Sequence, residues 1–190
     1  QYLCGALSRV AVSFTKFTKA DGLAGDSVPS FKRGKDGGWW LRASSSQPAH
    51  AYLMRYDGRS FVDMTGSPGL PQAESHDIEI SADGSLWIAT DAGLVRYDGK
   101  NFTAFGKSHG LTEDWAAPFT IVDRRQSYTA LACGANGSVW VGGANHLTRF
   151  DGQRFQTYPR PAGDILRFGI TKLQTVADGS LWIMPGLWSD

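Results

Sequence analysis

Eight polar or aromatic side chains are candidates for contact with a ligand. They combine histidines, carboxylates, one arginine and one tryptophan: Asp26, His50, His76, His109, Glu113, Asp114, Trp115 and Arg124. The polar members offer hydrogen-bond donors and acceptors, and Trp115 offers a flat surface on which a sugar or an aromatic ligand can stack. A histidine paired with Glu113 would have a different use, because an imidazole beside a carboxylate can serve a lyase or hydrolase as general base and acid. The residue types therefore fit either a binding site or an active site.

Short motifs that mark cofactor or metal chemistry are absent from the sequence. It has no phosphate loop, dinucleotide fingerprint, nucleophile elbow or zinc-protease helix. The four histidines share no metal-ligand spacing, and Cys4 and Cys133 lack a CxxC spacing, so we interpret the two cysteines as small apolar fillers. We expect neither a cofactor nor a metal ion.

Charge and hydropathy restrict the partners. The net charge of +1 comes from 19 basic and 18 acidic residues, which argues against nucleic acid. No apolar run approaches the ~20 residues that a membrane span needs, so we expect no span in this chain. Because the chain begins with Gln1, we interpret it as a processed chain or a piece of a longer protein.

Two signatures recur along the chain and specify the elements that must position any site. An Asp-Gly or Asn-Gly pair precedes a tryptophan four times, at Trp40, Trp87, Trp140 and Trp182. The pattern Arg-aromatic-Asp-Gly-x-x-Phe occurs three times, beginning at Arg55, Arg96 and Arg149. Intervals of 47, 53 and 42 residues between the tryptophans, filled with short strands and Asp-Gly turns, are typical of β-propeller blades with four antiparallel strands.

The repeat predicts an all-β chain, a single β-propeller domain or propeller fragment over residues 1–190. The boundaries are a half blade over 1–18, whole blades over 26–65, 74–108 and 117–158, and a half blade over 167–190. In the first half blade, Phe14–Phe17 is predicted to be the last strand. The first strand of each blade is assigned to the axis. The two half blades either join, closing a four-bladed ring, or remain the ends of an arc cut from a larger propeller.

The motif order within one repeat resembles a known family. Asp83-Gly-Ser-Leu-Trp87, Gly93-Leu-Val-Arg-Tyr-Asp98 and Phe102-Thr-Ala-Phe105, followed by a Gly-Leu pair at 110–111 and also at 22–23, resemble the two-component regulator propeller repeat. The resemblance implies a β-propeller sensor domain of a bacterial hybrid histidine kinase or a related secreted propeller, in the periplasm or outside the cell. Streptogramin lyases have similar blades, but their catalytic histidine and metal-binding surroundings match no residues of this sequence.

Function is expected where the repeats differ, since the recurring Trp, Arg and Asp-Gly positions are explained by packing and turns. Two insertions stand out, a loop over 44–50 and a second over 112–126 that contains Trp115. They are predicted to lie on one face of the propeller and to bind a small molecule, a carbohydrate or another protein without catalysis. Trp115 is a contact residue or an anchor for its own loop. The alternatives are an enzyme with an axial His and acid pair, and a structural subunit of a larger complex.

Overall fold

The computed structural model confirms an all-β chain. It describes residues 14–46, 49–111, 130–143, 146–159 and 170–185. The chain divides into two compact units, Gln1–Gly66 and Ser67–Asp190. Apart from two three-residue 3-10 helices, every regular element that the structure describes is a strand. The strands form antiparallel sheets of the kind that make propeller blades.

The first unit contains one four-stranded sheet in which neighbours in sequence are neighbours in space. Its strands are β1 (Ser27–Arg33), β2 (Trp39–Ser46), β3 (Ala49–Tyr56) and β4 (Phe61–Asp63). Leu41, Ala43 and Met54 form its buried centre, with several half-buried aromatic side chains packed against them. A meander of this kind places the second and third strands in the middle of the sheet, and these are the strands that carry the tryptophan and the arginine of the repeat.

The second unit contains three sheets. The second sheet consists of β5 (Ser75–Ile80), β6 (Leu86–Thr90), β7 (Gly93–Tyr97) and β8 (Phe102–Phe105). The third sheet consists of β9 (Ala130–Cys133), β10 (Val139–Gly142), β11 (His146–Phe150) and β12 (Phe155–Pro159). The fourth sheet consists of β13 (Ile170–Thr175) and β14 (Leu181–Pro185). The fourth sheet lies within the half blade that was predicted over residues 167–190.

First strands of neighbouring sheets lie side by side in the second unit. Strand β9 contacts both β5 and β13. The Leu131 amide donates to Asp77 Oδ2 at 2.9 Å, and the Thr175 hydroxyl donates to the Cys133 carbonyl at 2.7 Å. Behind these strands, an apolar cluster that includes Trp87, Val139 and Phe150 joins the second and third sheets. This arrangement agrees with the assignment of the first strands to the propeller axis.

The Asp-Gly pairs form turns, as predicted. Between β7 and β8, Asp98 Oδ1 accepts hydrogen bonds from the amides of Lys100 and Asn101, both at 2.8 Å, and Gly99 takes a φ of 100°. Only glycine adopts this φ without steric cost, and the carboxylate satisfies amides that the ladder leaves unpaired. Turns with the same contacts begin at Asp57 and Asp151.

First strands carry a bulge at equal places in three sheets. The register shifts between Ser27 and Ser30 in β1, between Ser75 and Asp77 in β5, and between Ile170 and Lys172 in β13. Each shift leaves residues without a partner in the neighbouring strand, and such bulges redirect side chains at the end of a sheet. The bulge residues include Val28, His76 and Thr171.

Three Gly-Leu connectors lead into the sheets. The glycines are Gly22, Gly69 and Gly110, with φ values of 94°, 84° and 89°. The sequence predicts the first and third connectors; the second, at Gly69-Leu70, is a finding of the structure. An alanine Cβ at position 69 would approach the Phe102 carbonyl oxygen to 2.5 Å. The absence of a side chain therefore lets this connector lie against the last strand of the sheet that it enters.

Two expectations about the elements are wrong. Residues 14–18 are irregular, so the strand predicted over Phe14–Phe17 is not formed. Phe17 is held instead by ring contacts to Tyr56 and Phe61, with centroids 5.2 and 5.3 Å away. The insertion over 44–50 is not a loop but lengthens β2 and β3, which pair as far as Ser46 and Ala49. The half blade over 1–18 stays a prediction, because residues 1–13 lie outside the described part of the chain.

Candidate functional site

Half of the predicted site residues have a described position. Asp26 and His50 belong to the first unit, and His76 and His109 to the second. The other four, Glu113, Asp114, Trp115 and Arg124, lie outside the described residues, together with most of the insertion over 112–126. The four described residues form separate local sites, which are presented in turn.

The lengthened hairpin brings Asp26 and His50 to the same end of the first sheet. Ser45 lies directly opposite His50 in the β2–β3 ladder. The Ser45 hydroxyl donates to Asp26 Oδ2 at 3.2 Å, and the Asp26 amide donates to the Ser44 carbonyl at 2.8 Å. The extra residues of the hairpin therefore form a support for Asp26, which precedes β1.

A lysine that sequence reasoning missed completes this group. Lys19 Nζ lies 2.7 Å from Asp26 Oδ1, and both side chains are about half exposed. The hydrogen bond from Lys19 is the main cause that lowers the pKa of Asp26, against the smaller opposing effect of desolvation. Lys19 belongs to a 3-10 helix whose Thr18 cap holds the helix in place. No sequence motif connects position 19 with position 26, since the contact depends on how the connector folds back on β1.

His50 provides an aromatic edge in the same region. Its ring meets the Tyr52 ring edge to face, with centroids 4.5 Å apart, and His50 itself is exposed. We call Lys19, Asp26, Ser45, His50 and Tyr52 the hairpin patch. The patch combines an ammonium group, a carboxylate, a hydroxyl and two rings, which are the groups that sugars and polar peptide segments bind.

His76 forms a different kind of pair in the second sheet. It is the bulged residue of β5, and its Nε2 lies 2.5 Å from Asp91 Oδ1. Its side chain is only 11% exposed, whereas that of Asp91 is 47% exposed. The Asp91 amide in turn donates to the Glu74 carbonyl at 3.0 Å, which fixes the carboxylate. Sequence reasoning missed Asp91, which follows β6 directly.

His109 serves the backbone of its own connector. Its Nδ1 accepts a hydrogen bond from the Gly106 amide at 3.2 Å, so the proton of a neutral ring resides on Nε2. Asp21 occupies the same position in the connector of the first unit and accepts from the Thr18 amide at 2.8 Å. A cap that recurs with a different residue type is explained by local structure, without a ligand.

The repeated Trp and Arg positions form a network that packs each sheet. In the second sheet, Arg96 donates to Asp83 Oδ2 at 2.8 Å and its guanidinium carbon lies 5.8 Å from the Trp87 ring centroid. Arg55 pairs in the same way with Asp36 and stacks over Trp40 at 5.0 Å. These two arginines combine an acidic partner with an aromatic one.

A metal-ligand cluster and a membrane-spanning helix are both absent from the described ranges. No three His, Cys, Asp or Glu side chains come together there in a way that could hold a metal ion. Nor does any helix in that part of the chain have the length and apolar character needed to cross a bilayer.

Comparison by sequence gives no relative. No protein-family model matches the chain, and no curated protein matches it. The similarity that exists is therefore one of structure.

Solved propeller structures resemble the chain at low sequence identity. The extracellular domain of the putative hybrid two-component system BT3049 from B. thetaiotaomicron aligns over 92% of this chain with a TM-score of 0.64 and 15% identity. That of BT4673 from the same organism aligns over 85% with a TM-score of 0.55 and 15% identity. A catalytically inactive virginiamycin B lyase from Staphylococcus aureus, solved with quinupristin, aligns over 92% with a TM-score of 0.60 and 13% identity.

The chain spans only part of each of these structures: 23% of the BT3049 chain, 19% of the BT4673 chain and 54% of the lyase. At such identities the likeness shows the fold alone. It agrees with a β-propeller, a fold that by itself specifies no function.

Proposed function

We propose that this chain is part of an extracytoplasmic, non-enzymatic binding propeller of the sensory kind, and that it binds its ligand at the hairpin patch. The observation that carries the proposal is the hairpin itself. Strands β2 and β3 have eight residues each, whereas β6 and β7 have five each. Where the other sheets turn back, the first sheet continues and presents His50 next to Ser45 and Asp26.

Chemistry of the patch supports a neutral or amino-bearing carbohydrate as the ligand. Lys19 and Asp26 neutralise each other, so the patch has no net field that would select a strongly charged ligand. Asp26 offers carboxylate acceptors and Lys19 an ammonium donor for sugar hydroxyl groups, and the rings of His50 and Tyr52 offer apolar surface. The structural neighbours from two-component systems support a sensory role and an extracytoplasmic location for such a site.

The experiment is a glycan array with neutral, amino and acidic sugars, followed by calorimetry on the best ligand. We expect Asp26→Ala and His50→Ala each to weaken binding about tenfold, because each removes a polar contact in the patch. Arg59→Ala is the matched control, since Arg59 is exposed in the tight turn between β3 and β4 of the same sheet. Equal affinity in all three variants would exclude the patch, and an array without retained glycans would exclude the carbohydrate assignment.

A second candidate function rests on the His76–Asp91 pair. A histidine whose Nε2 is fixed by a carboxylate keeps its other nitrogen for a proton of a substrate, as in a general base. The acid of this pair would be Asp91 in place of Glu113. If the chain belongs to a propeller lyase, His76→Ala should abolish turnover of a streptogramin while circular dichroism stays unchanged. No turnover by the native chain would leave the binding proposal.

A further inference from the structure

The third sheet lacks the carboxylate that pairs with the repeat arginine in the first two sheets. Asn136 stands where those sheets have Asp36 and Asp83. Its Oδ1 accepts hydrogen bonds from the amide and the hydroxyl of Ser138, at 3.1 and 2.7 Å. The turn is therefore preserved, and what the substitution removes is the negative charge.

Arg149 stacks on a tryptophan as the other repeat arginines do, but the carboxylate that binds them has no equivalent in the third sheet. Its guanidinium carbon lies 5.5 Å from the Trp140 ring centroid, in the same range as the pairs in the first two sheets. Its Nε is buried and has no hydrogen-bond partner among the residues that the structure describes. A buried guanidinium N–H without an acceptor is costly; in the second sheet the equivalent Nε of Arg96 donates to the Ser85 hydroxyl at 3.0 Å, a contact that Arg149 lacks.

An open cleft of about 330 Å³ lies beside Arg149. Its lining residues are Arg149, Asp151, Arg154, Phe155 and Gln156. Gln156 lies opposite Arg149 in the β11–β12 ladder. Asp151 is already engaged, since its Oδ1 accepts from the amides of Gln153 and Arg154, both at 2.9 Å. The cleft therefore has two positive charges, from Arg149 and Arg154, and one negative charge, from Asp151, so its lining carries a net positive charge.

We propose that this cleft binds the carboxylate group of a ligand. The bound carboxylate takes the role that Asp36 and Asp83 have in the other sheets: it accepts from Arg149, while Arg154 and Gln156 offer further donors from the rim. The first two sheets indicate the ligand chemistry. In each of them the equivalent arginine, stacked over the equivalent tryptophan, binds a carboxylate of the chain itself. The cleft lies at the tight-turn end of its sheet, so the inference is independent of the hairpin patch.

The test uses the arginine Nε–H signals of the ¹⁵N-labelled native chain during titration with sodium acetate. We expect the Arg149 signal to shift and saturate, and the signals of Arg55 and Arg96 to stay in place because their acceptors are present. Acetamide, which has the same shape without the charge, should produce no shift. Sodium chloride at the same ionic strength and inorganic phosphate are the comparison anions.

Two variants decide the result. Asn136→Asp restores the acceptor of the chain itself, so the Arg149 signal should begin at the shifted position and no longer respond to acetate. Arg154→Ala removes a donor from the exposed rim and should weaken acetate binding about tenfold without altering the fold. The proposal is overturned if acetate leaves Arg149 unshifted, if chloride shifts it equally, if phosphate binds more tightly than acetate, or if Asn136→Asp and Arg154→Ala both respond like the native chain.

Discussion

Asp83 connects a turn, a tryptophan and an arginine through one carboxylate. It accepts hydrogen bonds from the Ser81 hydroxyl at 2.6 Å, from the Ser85 amide at 2.9 Å and from Arg96 at 2.8 Å. The Ser81 hydroxyl in turn accepts from Trp87 Nε1 at 3.2 Å. Partial burial raises the pKa of Asp83, but the hydrogen bonds from Ser81 and Ser85 and the charge of Arg96 outweigh burial and hold the pKa at about 2.

Asp83→Asn should destabilise the chain by about 1–2 kcal/mol, because the amide cannot replace the charge that Arg96 and the two serines share. Urea unfolding followed by tryptophan fluorescence measures the loss. Asp98→Asn is the control, since an amide oxygen still caps the exposed turn, and its urea midpoint should stay close to that of the native chain. Equal losses in the two variants would show that the network adds nothing beyond a turn.

The free energy of unfolding should also decrease as the pH is lowered through a defined window. The pKa of Asp83 is about 2 in the folded chain, against 3.8 for the ordinary group, so the unfolded chain takes up the proton first. The contribution of Asp83 is therefore present above about pH 4 and is lost as the pH falls towards 2. Urea midpoints measured across this window should fall less steeply in Asp83→Asn than in the native chain. Parallel pH profiles would contradict the assignment.

Recurrence in the sequence was enough to predict that the repeated Trp and Arg positions serve packing, because the same two residue types return in successive repeats. It was not enough for Asp91 or Lys19. Each of these contacts joins segments whose approach depends on a bulge or on the path of a connector. The consequence of Asn136 also required the structure, since only a described Arg149 shows the missing acceptor.

Connectors and hairpin ends are the elements in which the sheets differ. The segment over 44–50 contains three serines and a proline, and this composition favours a loop over a strand. The structure pairs Ser44 with Ala51 and Ser45 with His50 all the same. Backbone hydrogen bonds of a ladder depend on the partner strand more than on side-chain type, so composition alone could not predict the extension.

Gly69→Ala tests the connector that the sequence did not predict. The new Cβ would lie 2.5 Å from the Phe102 carbonyl oxygen at a φ of 84°, so we expect a loss of about 1–3 kcal/mol. Gly66→Ala is the matched control, because no atom lies within 4 Å of its Cβ position. Thermal unfolding of both variants measures the difference. An unchanged melting temperature in Gly69→Ala would mean that the connector moves freely away from β8.

At the scale of the molecule, the fourth sheet has an exposed apolar strand. Trp182 is 68% exposed, whereas Trp87, at the equivalent place in the second sheet, is 4% exposed. Met184 on the same strand is 57% exposed. Among the described strands β14 pairs only with β13, and a strand with this composition at a sheet edge promotes association. The choice between a closed ring and an arc therefore depends on what covers β14.

We expect the chain over residues 1–190 to self-associate through β14, as an arc would. Light scattering after size exclusion should show a mass that rises with concentration. Trp182→Ala should raise the concentration needed for association about tenfold, because large aromatic side chains dominate such contacts. Phe14→Ala removes an exposed aromatic side chain elsewhere and serves as control. A monomer at all concentrations would favour the closed ring.

Bulges in the first strands have a consequence for how such a protein changes over generations. Residues in a ladder are constrained by their neighbours, and those of the Arg–Trp network by one another. Val28, His76 and Thr171 occupy bulges, where the residue has no ladder partner and its side chain makes contacts of its own: Val28 packs against the apolar centre of the first sheet, His76 binds Asp91, and Thr171 donates to the Met184 carbonyl. The same backbone feature therefore accommodates an apolar group, an imidazole and a hydroxyl at these three positions. Each repeat therefore has a ladder and an Arg–Trp network that packing constrains, and one bulge position at which the side chain differs between repeats.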